Sequence, residues 1–475
     1  MGNVGPCAMT PPARDAAAQG GAGSAESLGV LDVASVVIGG IVGVGIFFTP
    51  AKVAARVDGP ALVVLAWGLG GLLAVLGALV FAELSTLVPG HGGTYRYVLC
   101  AFGRLPAFLY GWANWLVIQA GALGVVGLLL VDHLDIAIGG RASLRPGAKV
   151  ALAAAAILLF TGTNVFGFRV GKRVQNALTL SKILALAFLV SLAAFAGGAE
   201  AGPAPPTHRP VLSQLGGAML PVLFAIGGWQ QGSFLAGAAR NPLRTVPLGI
   251  LGGVLVVVVC YLSVNLAYLD LLGFEGARTS SAIGADAARA ALGSAGGRVL
   301  AAMVAVSAAG IMNTICMAPP YVLLAMAREG AFPRAFARLS PRYGTPVLGV
   351  LGQGIWAVLL LVLAHATASV LGYRAIGLLG FLCDGVVFVD WVFFALCGAA
   401  LLRLRSRRGP GAFRAPMGRL VALSFTLAAL LVAAAGVASE EQRVPSLAGA
   451  GLVLLGLPFA RRLGSGSPPT SPLRR

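Results

Sequence analysis

Charge is what this 475-residue chain lacks. Asp, Glu, Lys and Arg together make up 11% of it, less than half the roughly 25% of a soluble domain. Apolar residues make up 58% and the mean hydropathy is +0.89. So few polar groups cannot cover a water-facing surface, which excludes a water-soluble enzyme. Histidine is scarce as well. The four histidines (His91, His133, His208, His365) fall in or near predicted loops, and neither HExxH nor GxSxG occurs. An intramembrane enzyme would need a nucleophile with its base, or metal ligands, at mid-membrane, and the sequence offers neither. The six cysteines (Cys7, Cys100, Cys260, Cys316, Cys383, Cys397) form no CxxC pair. They read as small buried apolar groups, and no metal or cofactor is expected.

What the chain has is apolar runs. Windows of about 19 residues predict helices near 30–56, 60–87, 106–131, 149–166, 174–197, 214–237, 246–270, 298–325, 346–366, 375–402, 418–438 and 445–460. The fold class expected is therefore an all-α polytopic membrane protein of about twelve transmembrane helices. Residues 1–27, rich in Ala, Gly and Pro, read as a disordered tail rather than a cleavable signal, and 464–475 as a second tail.

The net charge of +18 would suggest nucleic acid in a soluble protein. Placed on this topology with the amino terminus inside, 22 of the 34 basic residues fall on the inner side, 11 outside, and one, Lys182, within a span. That bias is the positive-inside rule. The basic balance is thus assigned to orientation and to anionic lipid, with the bilayer as partner and nucleic acid excluded. Both termini are expected in the cytoplasm.

Glycine clusters interrupt two of the runs. The first reads Ile38-Gly39-Gly40-Ile41-Val42-Gly43-Val44-Gly45-Ile46-Phe47, the sixth Phe224-Ala225-Ile226-Gly227-Gly228-Trp229-Gln230-Gln231-Gly232. Glycine costs about 1 kcal/mol against alanine within a helix. Two such clusters near mid-membrane, five helices apart, fit an inverted repeat of five plus five helices, each half opening with a broken helix. Unwinding after Gly43 would expose N–H groups and a positive dipole end suited to a carboxylate, and the carbonyls freed at both breaks would suit an ammonium group. The same glycines would also serve close helix packing alone.

The stretch Gly43-Val44-Gly45-Ile46-Phe47-Phe48-Thr49-Pro50 resembles the GSGIF signature of the amino acid, polyamine and organocation superfamily, near its L-type amino acid transporter branch. Glu83-Leu84 with Pro89, Gly92, Gly93, Tyr95 and Tyr97 is similar to the family's EL-P-GG-Y-Y segment, and Val174-Gln175 with Lys182 to its VQ-K motif. Phe224 to Trp229, Arg240-Asn241-Pro242, Val246-Pro247, Asn313, Arg328-Glu329-Gly330 with Pro333, Thr345-Pro346 and Phe388 to Trp391 continue the register over residues 28–463. The resemblance implies the leucine-transporter fold: repeat one over 28–200, repeat two over 210–405, and two peripheral helices over 415–463.

It also implies roles. The substrate is a small molecule, an amino acid. Its carboxylate would meet amides around Gly43, Val44, Gly45 and Ile46, and its ammonium the carbonyls of Ile41, Val42, Phe224, Ala225 and Gly227, with Ile226 in the same break and Phe224 as an aromatic gate. Val44 stands where many relatives carry serine, leaving only backbone donors there. Ala122 and Val126, with Gln230, Gln231, Val387 and Trp391, would make a mostly apolar wall that favours a neutral side chain.

In the family, a lysine at the position of Lys182 occupies the place of a sodium ion. Ser307 and a carbonyl near Gly39 or Gly40 are its expected partners, implying transport without sodium. Whether Lys182 braces the fold or also carries a proton stays open. Asp384 and Asp390, also inside a span, would relay protons, line the cavity, or bond to a neighbouring helix. Glu83 is expected to pair with a loop arginine. The loop 132–148 contains no cysteine, so no disulfide-linked accessory chain is expected. Exchange of neutral amino acids leads, followed by proton-coupled symport. Polyamine or cationic substrates, a channel and a non-transporting sensor come after.

Overall fold

The computed structural model describes residues 28–47, 49–139, 144–166, 168–196, 210–280, 283–370, 375–408, 411–438 and 440–464. Both tails expected from composition fall outside them, apart from Gly464, which still belongs to the last helix. Among the described residues the chain is helical, with one isolated bridge, Leu28 with Ala239, and no strand. Among the described residues nine helices are long and apolar enough to cross a membrane, and Val30–Ile41, Val347–Leu363 and Ser446–Ala460 are shorter apolar helices.

In chain order the elements are α1 (Val30–Ile41), a 3-10 turn at Val44–Phe47, α2 (Thr49–Ala54), α3 (Pro60–Leu87) and α4 (Thr94–Phe102). Next come α5 (Arg104–Ala113), a π-helical turn at Asn114–Gln119, α6 (Ala120–Gly139), α7 (Pro146–Val165), α8 (Phe168–Ala196), α9 (Val211–Ile226) and α10 (Gln231–Phe234). The second half holds α11 (Pro242–Thr279), α12 (Ile283–Leu292), α13 (Ser294–Met317), α14 (Pro320–Arg328), α15 (Val347–Val370), α16 (Ala375–Arg408), α17 (Gly418–Ala438), α18 (Glu440–Leu454) and α19 (Leu457–Gly464). Pro60, Pro146 and Pro242 each sit at the first turn of a helix, where the missing N–H costs nothing. Helices α4 and α12 were not among the expected spans; the polar residues in each keep them out of an apolar window.

The burial pattern is that of a protein in lipid. Leu72, Leu159, Val259, Leu363, Leu427 and Leu431 are exposed, whereas Glu83, Gln175, Lys182, Ser307 and Asn313 are buried. A buried polar side chain away from water must be matched inside the protein. The matches draw α1, α8 and α13 together. Gln175 donates to Ser35 O at 3.1 Å and accepts from Asn313 Nδ2 at 2.9 Å and Thr314 Oγ1 at 3.0 Å. Asn164 Nδ2 on α7 reaches Asn313 Oδ1 at 3.0 Å.

Glu83, fully buried on α3, accepts from the Arg405 guanidinium and from Ala415 N at 2.8 Å. Its expected arginine partner is therefore there, but it stands near the end of helix α16 rather than in a loop. Cys260, Cys316 and Cys397 are free thiols within spans, while Cys100 is disulfide-bonded, unlike the purely apolar role expected of all six.

Candidate functional site: two interrupted helices in contact

Both glycine-rich runs are broken. Helix α1 ends at Ile41, Val42 is extended (φ −68°, ψ 99°), and Val44–Phe47 forms a separate 3-10 turn before α2. Helix α9 ends at Ile226, Gly227 is extended (φ −69°, ψ 151°), and Gly228 has φ +132° before α10 resumes. A left-handed φ at Gly228 is open to glycine at no steric cost.

The two breaks touch. A Cβ on Gly228 would lie 2.7 Å from Gly40 O, and one on Gly45 would lie 3.1 Å from the Ala225 Cα. One side chain spans both: Tyr261 Oη, on α11, stands 2.9 Å from Ile41 O and 3.4 Å from Ala225 O. The 3-10 turn leaves its leading amides without intrahelical acceptors, and Thr49 Oγ1 closes its far end on Gly45 O at 2.8 Å.

Lys182 lies beside the first break. It is 2% exposed, and its Nζ donates to Gly39 O at 3.1 Å and Val42 O at 2.6 Å. Ser307 Oγ, from α13, donates to the same Val42 O at 3.3 Å. The lysine threads over Gly310, where a Cβ would stand 2.4 Å from Cε. A charge this deep needs acceptors, and two carbonyls freed by the break provide them.

Of the sequence-expected wall, Phe224 and Gly227 are partly exposed, and Ala225 and Ile226 buried. Val126 is 6% exposed and Ala122 partly buried, both on α6, which packs along α13. Gln230 and Gln231 are buried, and the Oε1 of each has no hydrogen-bond partner. Trp391 is buried in an aromatic cluster with Trp229 (6.2 Å), Phe394 (5.5 Å) and Phe425 (6.4 Å). Asp390 lies on α16 next to Trp391 and is partly exposed. The side chains of Val44 and Asp384 lie outside the described residues.

Sequence reasoning missed three features. Tyr261 sits in an otherwise apolar run, where its hydroxyl was the only signal. The π-helical turn at Asn114–Gln119 is marked by two polar residues five apart in a span; Gln119 Nε2 donates to Asn114 Oδ1 at 2.9 Å. The third is Leu28, fully buried, whose N–H donates to Ala238 O at 2.9 Å and whose carbonyl accepts from Arg240 N at 3.0 Å. That pairing ties the start of α1 to the segment after α10.

Near this latch the Pro89–Gly93 loop packs under α10. Gly92 N donates to Phe234 O at 3.3 Å, and the His91 ring stacks on Tyr321 at 4.8 Å. Burial, and then the positive charges of Arg328 and Arg96, hold the His91 imidazole down to about 3.

The comparisons with known proteins agree with this geometry. The amino acid permease family model matches residues 28–455. The chain is 29% identical over 391 residues to b(0,+)-type amino acid transporter 1 of Mus musculus, covering 81% of this chain and 77% of that protein. It is 27% identical over 388 residues to the serine/threonine exchanger SteT of Bacillus subtilis (strain 168), covering 81% and 84%. It is 27% identical over 401 residues to large neutral amino acids transporter small subunit 2 of Homo sapiens, covering 82% and 72%. The chain is thus a multi-pass membrane transporter and not an enzyme, and it belongs to the amino acid permease family.

Proposed function

We propose that this permease exchanges neutral amino acids across the cell membrane by alternating access, without sodium. The observation that carries the reading is the contact between two helix breaks, which gathers unwound backbone from both at one place. Amides at Gly43, Val44, Gly45 and Ile46 receive the substrate carboxylate. The ammonium group is received by carbonyls of the breaks, those of Phe224, Ala225 and Gly227 with Ile41 and Val42, and Phe224 closes over the site. The surrounding Ala122, Val126 and Ile226 suit an uncharged side chain.

Lys182 stands in for a coupling cation. Its ammonium already bridges α1 and, through Val42 O shared with Ser307, α13. Moving the two breaks relative to each other requires the five-plus-five repeat, 28–200 and 210–405, with 415–463 peripheral. Twelve membrane helices with both termini in the cytoplasm fit that scheme, and the bacterial inner membrane is its setting. No accessory chain is disulfide-linked through the cysteine-free loop 132–148. The names of two relatives, an exchanger of serine and threonine and a transporter of large neutral amino acids, support the substrate class.

The test is uptake of labelled amino acids by liposomes carrying the purified protein. Uptake that requires internal amino acid and ignores sodium is expected. Uptake driven by a pH gradient into empty liposomes would replace exchange with proton symport, for which Lys182, Asp384 and Asp390 are the ionisable groups at hand. Flux that neither saturates nor shows counterflow would overturn a carrier altogether.

A further inference from the structure

One corner of the molecule is strongly basic and has no role in the scheme above. The sequence has no acidic residue between Asp135 and Glu200, nor between Glu329 and Asp384. These two stretches meet where α7 ends. The start of α8 carries Arg169, Lys172 and Arg173, and the loop between α14 and α15 carries Arg334, Arg338 and Arg342. Arg173, Arg334, Arg338 and Arg342 are exposed, and among the described residues none of the four forms an ion pair. Their counter-charge comes from outside the chain.

The loop closes into a bonded turn. Ser340 N donates to Thr345 O and Gly344 N to Ser340 O, each at 2.8 Å, and Tyr343 N donates to Ser340 Oγ at 3.3 Å. Thr345 Oγ1 fastens the turn to α7 by donating to Val165 O at 3.4 Å. On this turn the Arg342 guanidinium lies 5.3 Å above the Tyr343 ring, and that ring meets Phe166 edge-on at 6.3 Å. Stacking occupies the face of a guanidinium and leaves its N–H edge for two parallel bonds to a phosphate. Phe166 is 65% exposed, in line with Leu159 (64%) and Leu152 (48%) along α7, because residues seven apart share a helix face. On a membrane-crossing helix such a stripe faces acyl chains, and an aromatic at its end marks the headgroup level. Arg342 thus stands at the foot of an apolar track, which suits a lipid anion better than a soluble one.

The same turn reaches the latch at Leu28. Tyr321 Oη donates to Gly344 O at 3.4 Å, and the Tyr321 ring stacks on His91. The His91 Nε2 lies 2.5 Å from where a Cβ on Gly237 would stand, one residue before the Ala238 carbonyl that holds Leu28 N. We propose that Arg342, with Tyr343 and Phe166, binds the phosphate headgroup of an anionic phospholipid in the cytoplasmic leaflet, and that occupancy steadies the α1 latch through Gly344, Tyr321 and His91. The proposal rests on the orientation given above, since the cytoplasmic leaflet is the anionic one.

Binding is tested by thermal unfolding of the purified protein in neutral detergent micelles, with phosphatidylglycerol, phosphatidylcholine or inorganic phosphate added. The wild type is compared with Arg342→Gln and with Arg419→Gln, which removes an exposed arginine at the start of α17 as the control for charge alone. A ligand that binds only the folded state raises the melting temperature. Phosphatidylglycerol should therefore raise that of the wild type and of Arg419→Gln by a few degrees, and leave Arg342→Gln nearly unmoved. Arg342→Lys, which keeps the charge without the fork, should fall between and serves if the glutamine variant does not assemble. An equal rise with phosphatidylcholine or inorganic phosphate, or an equal loss in the Arg342 and Arg419 variants, would overturn the site. The coupling is read by labelling Leu28→Cys with a membrane-permeant maleimide in phosphatidylcholine liposomes with and without phosphatidylglycerol. The anionic lipid should slow labelling severalfold, and Tyr321→Phe, which keeps the ring and loses the hydroxyl, should cancel the slowing. Labelling indifferent to phosphatidylglycerol would overturn the coupling. Neither readout uses transport, so a protein that binds the lipid and moves no amino acid would overturn the exchange reading alone.

Discussion

The two helix breaks are not equivalent. The first is held by side chains from three other helices: Lys182 on Gly39 O and Val42 O, Ser307 on Val42 O, and Tyr261 on Ile41 O. At the second, Ala225 O receives the longer Tyr261 contact, and among the described residues the amide oxygens of Gln230 and Gln231 just beyond it are buried without hydrogen-bond partners. A freed carbonyl that already accepts two bonds has little left for a ligand. The comparison teaches that the first break is braced by side chains from three helices while the second is left more open. The sequence treats them as equals; the bracing residues make them different.

The largest effects should come from crowding the breaks, the first against α13 and the second against the first. Gly43→Leu places its Cβ where Ile311 Cδ1 already stands, 1.9 Å away. Gly228→Ala meets Gly40 carbonyl oxygen at 2.7 Å and a left-handed φ of +132°. Neither contact ends in a flexible side chain at Gly228, so relief requires moving α1 itself. Both variants should reach the membrane at normal levels and show transport at background in the liposome assay. Full uptake by Gly228→Ala would mean that the breaks do not need to touch.

Next comes Lys182→Ala. It removes the lysine donor from Gly39 O and leaves Val42 O with Ser307 alone, and an unsatisfied buried group costs about 1–3 kcal/mol. Transport should fall by an order of magnitude or more, with a lower melting temperature in detergent, while Gln230→Leu, across the interface, should change substrate affinity rather than stability. If Lys182→Ala moves substrate normally at every pH, the contrast between a braced and an open break is wrong. Tyr261→Phe is expected to be milder. One hydroxyl shared by two carbonyls is worth about 0.5–1.5 kcal/mol, appearing as a raised KM with little loss of expression.

How much of this was legible follows from the kind of signal each feature leaves. The breaks were visible because glycine is expensive in a helix and its clustering is local in sequence. Lys182 was visible because a lone charge in an apolar run is conspicuous, and the carbonyls it reaches, Gly39 O and Val42 O, lie in the first glycine-rich run, whereas the expected partner Ser307 meets it only by sharing Val42 O. Tyr261 and Leu28 were not legible. Tyrosine is ordinary in a membrane helix, and the pairing of Leu28 with Ala238 and Arg240 uses only backbone, which every residue carries. Trp391 was placed on the pocket wall by register alone; its packing on Trp229 and Phe425 is a tertiary contact that register does not carry. Short helices such as Thr94–Phe102 escaped because apolar windows see only spans.

The smallest effect concerns the latch end of the first break, where acid should loosen what the backbone ties. His91 is kept neutral by burial and by Arg328 and Arg96, with its value lowered to about 3, whereas the unfolded chain would titrate near 6.5. Between those two values the unfolded state binds the proton and the folded state does not, so stability rises with pH across that window. The stabilisation is whole above about 6.5 and drains as the pH falls toward 3. His91→Asn should therefore flatten the loss of melting temperature between neutral pH and mild acid, by a few degrees at most, with transport at neutral pH little changed. The substitution tests whether the loop under α10 helps keep the α1 latch closed. If it does, mild acid should raise the reactivity of a cysteine introduced at Leu28 in the wild-type background and not in His91→Asn. Equal acid sensitivity in both would place the pH response at a group other than His91, and not at Glu329, whose carboxyl is raised by burial so that acid would stabilise it.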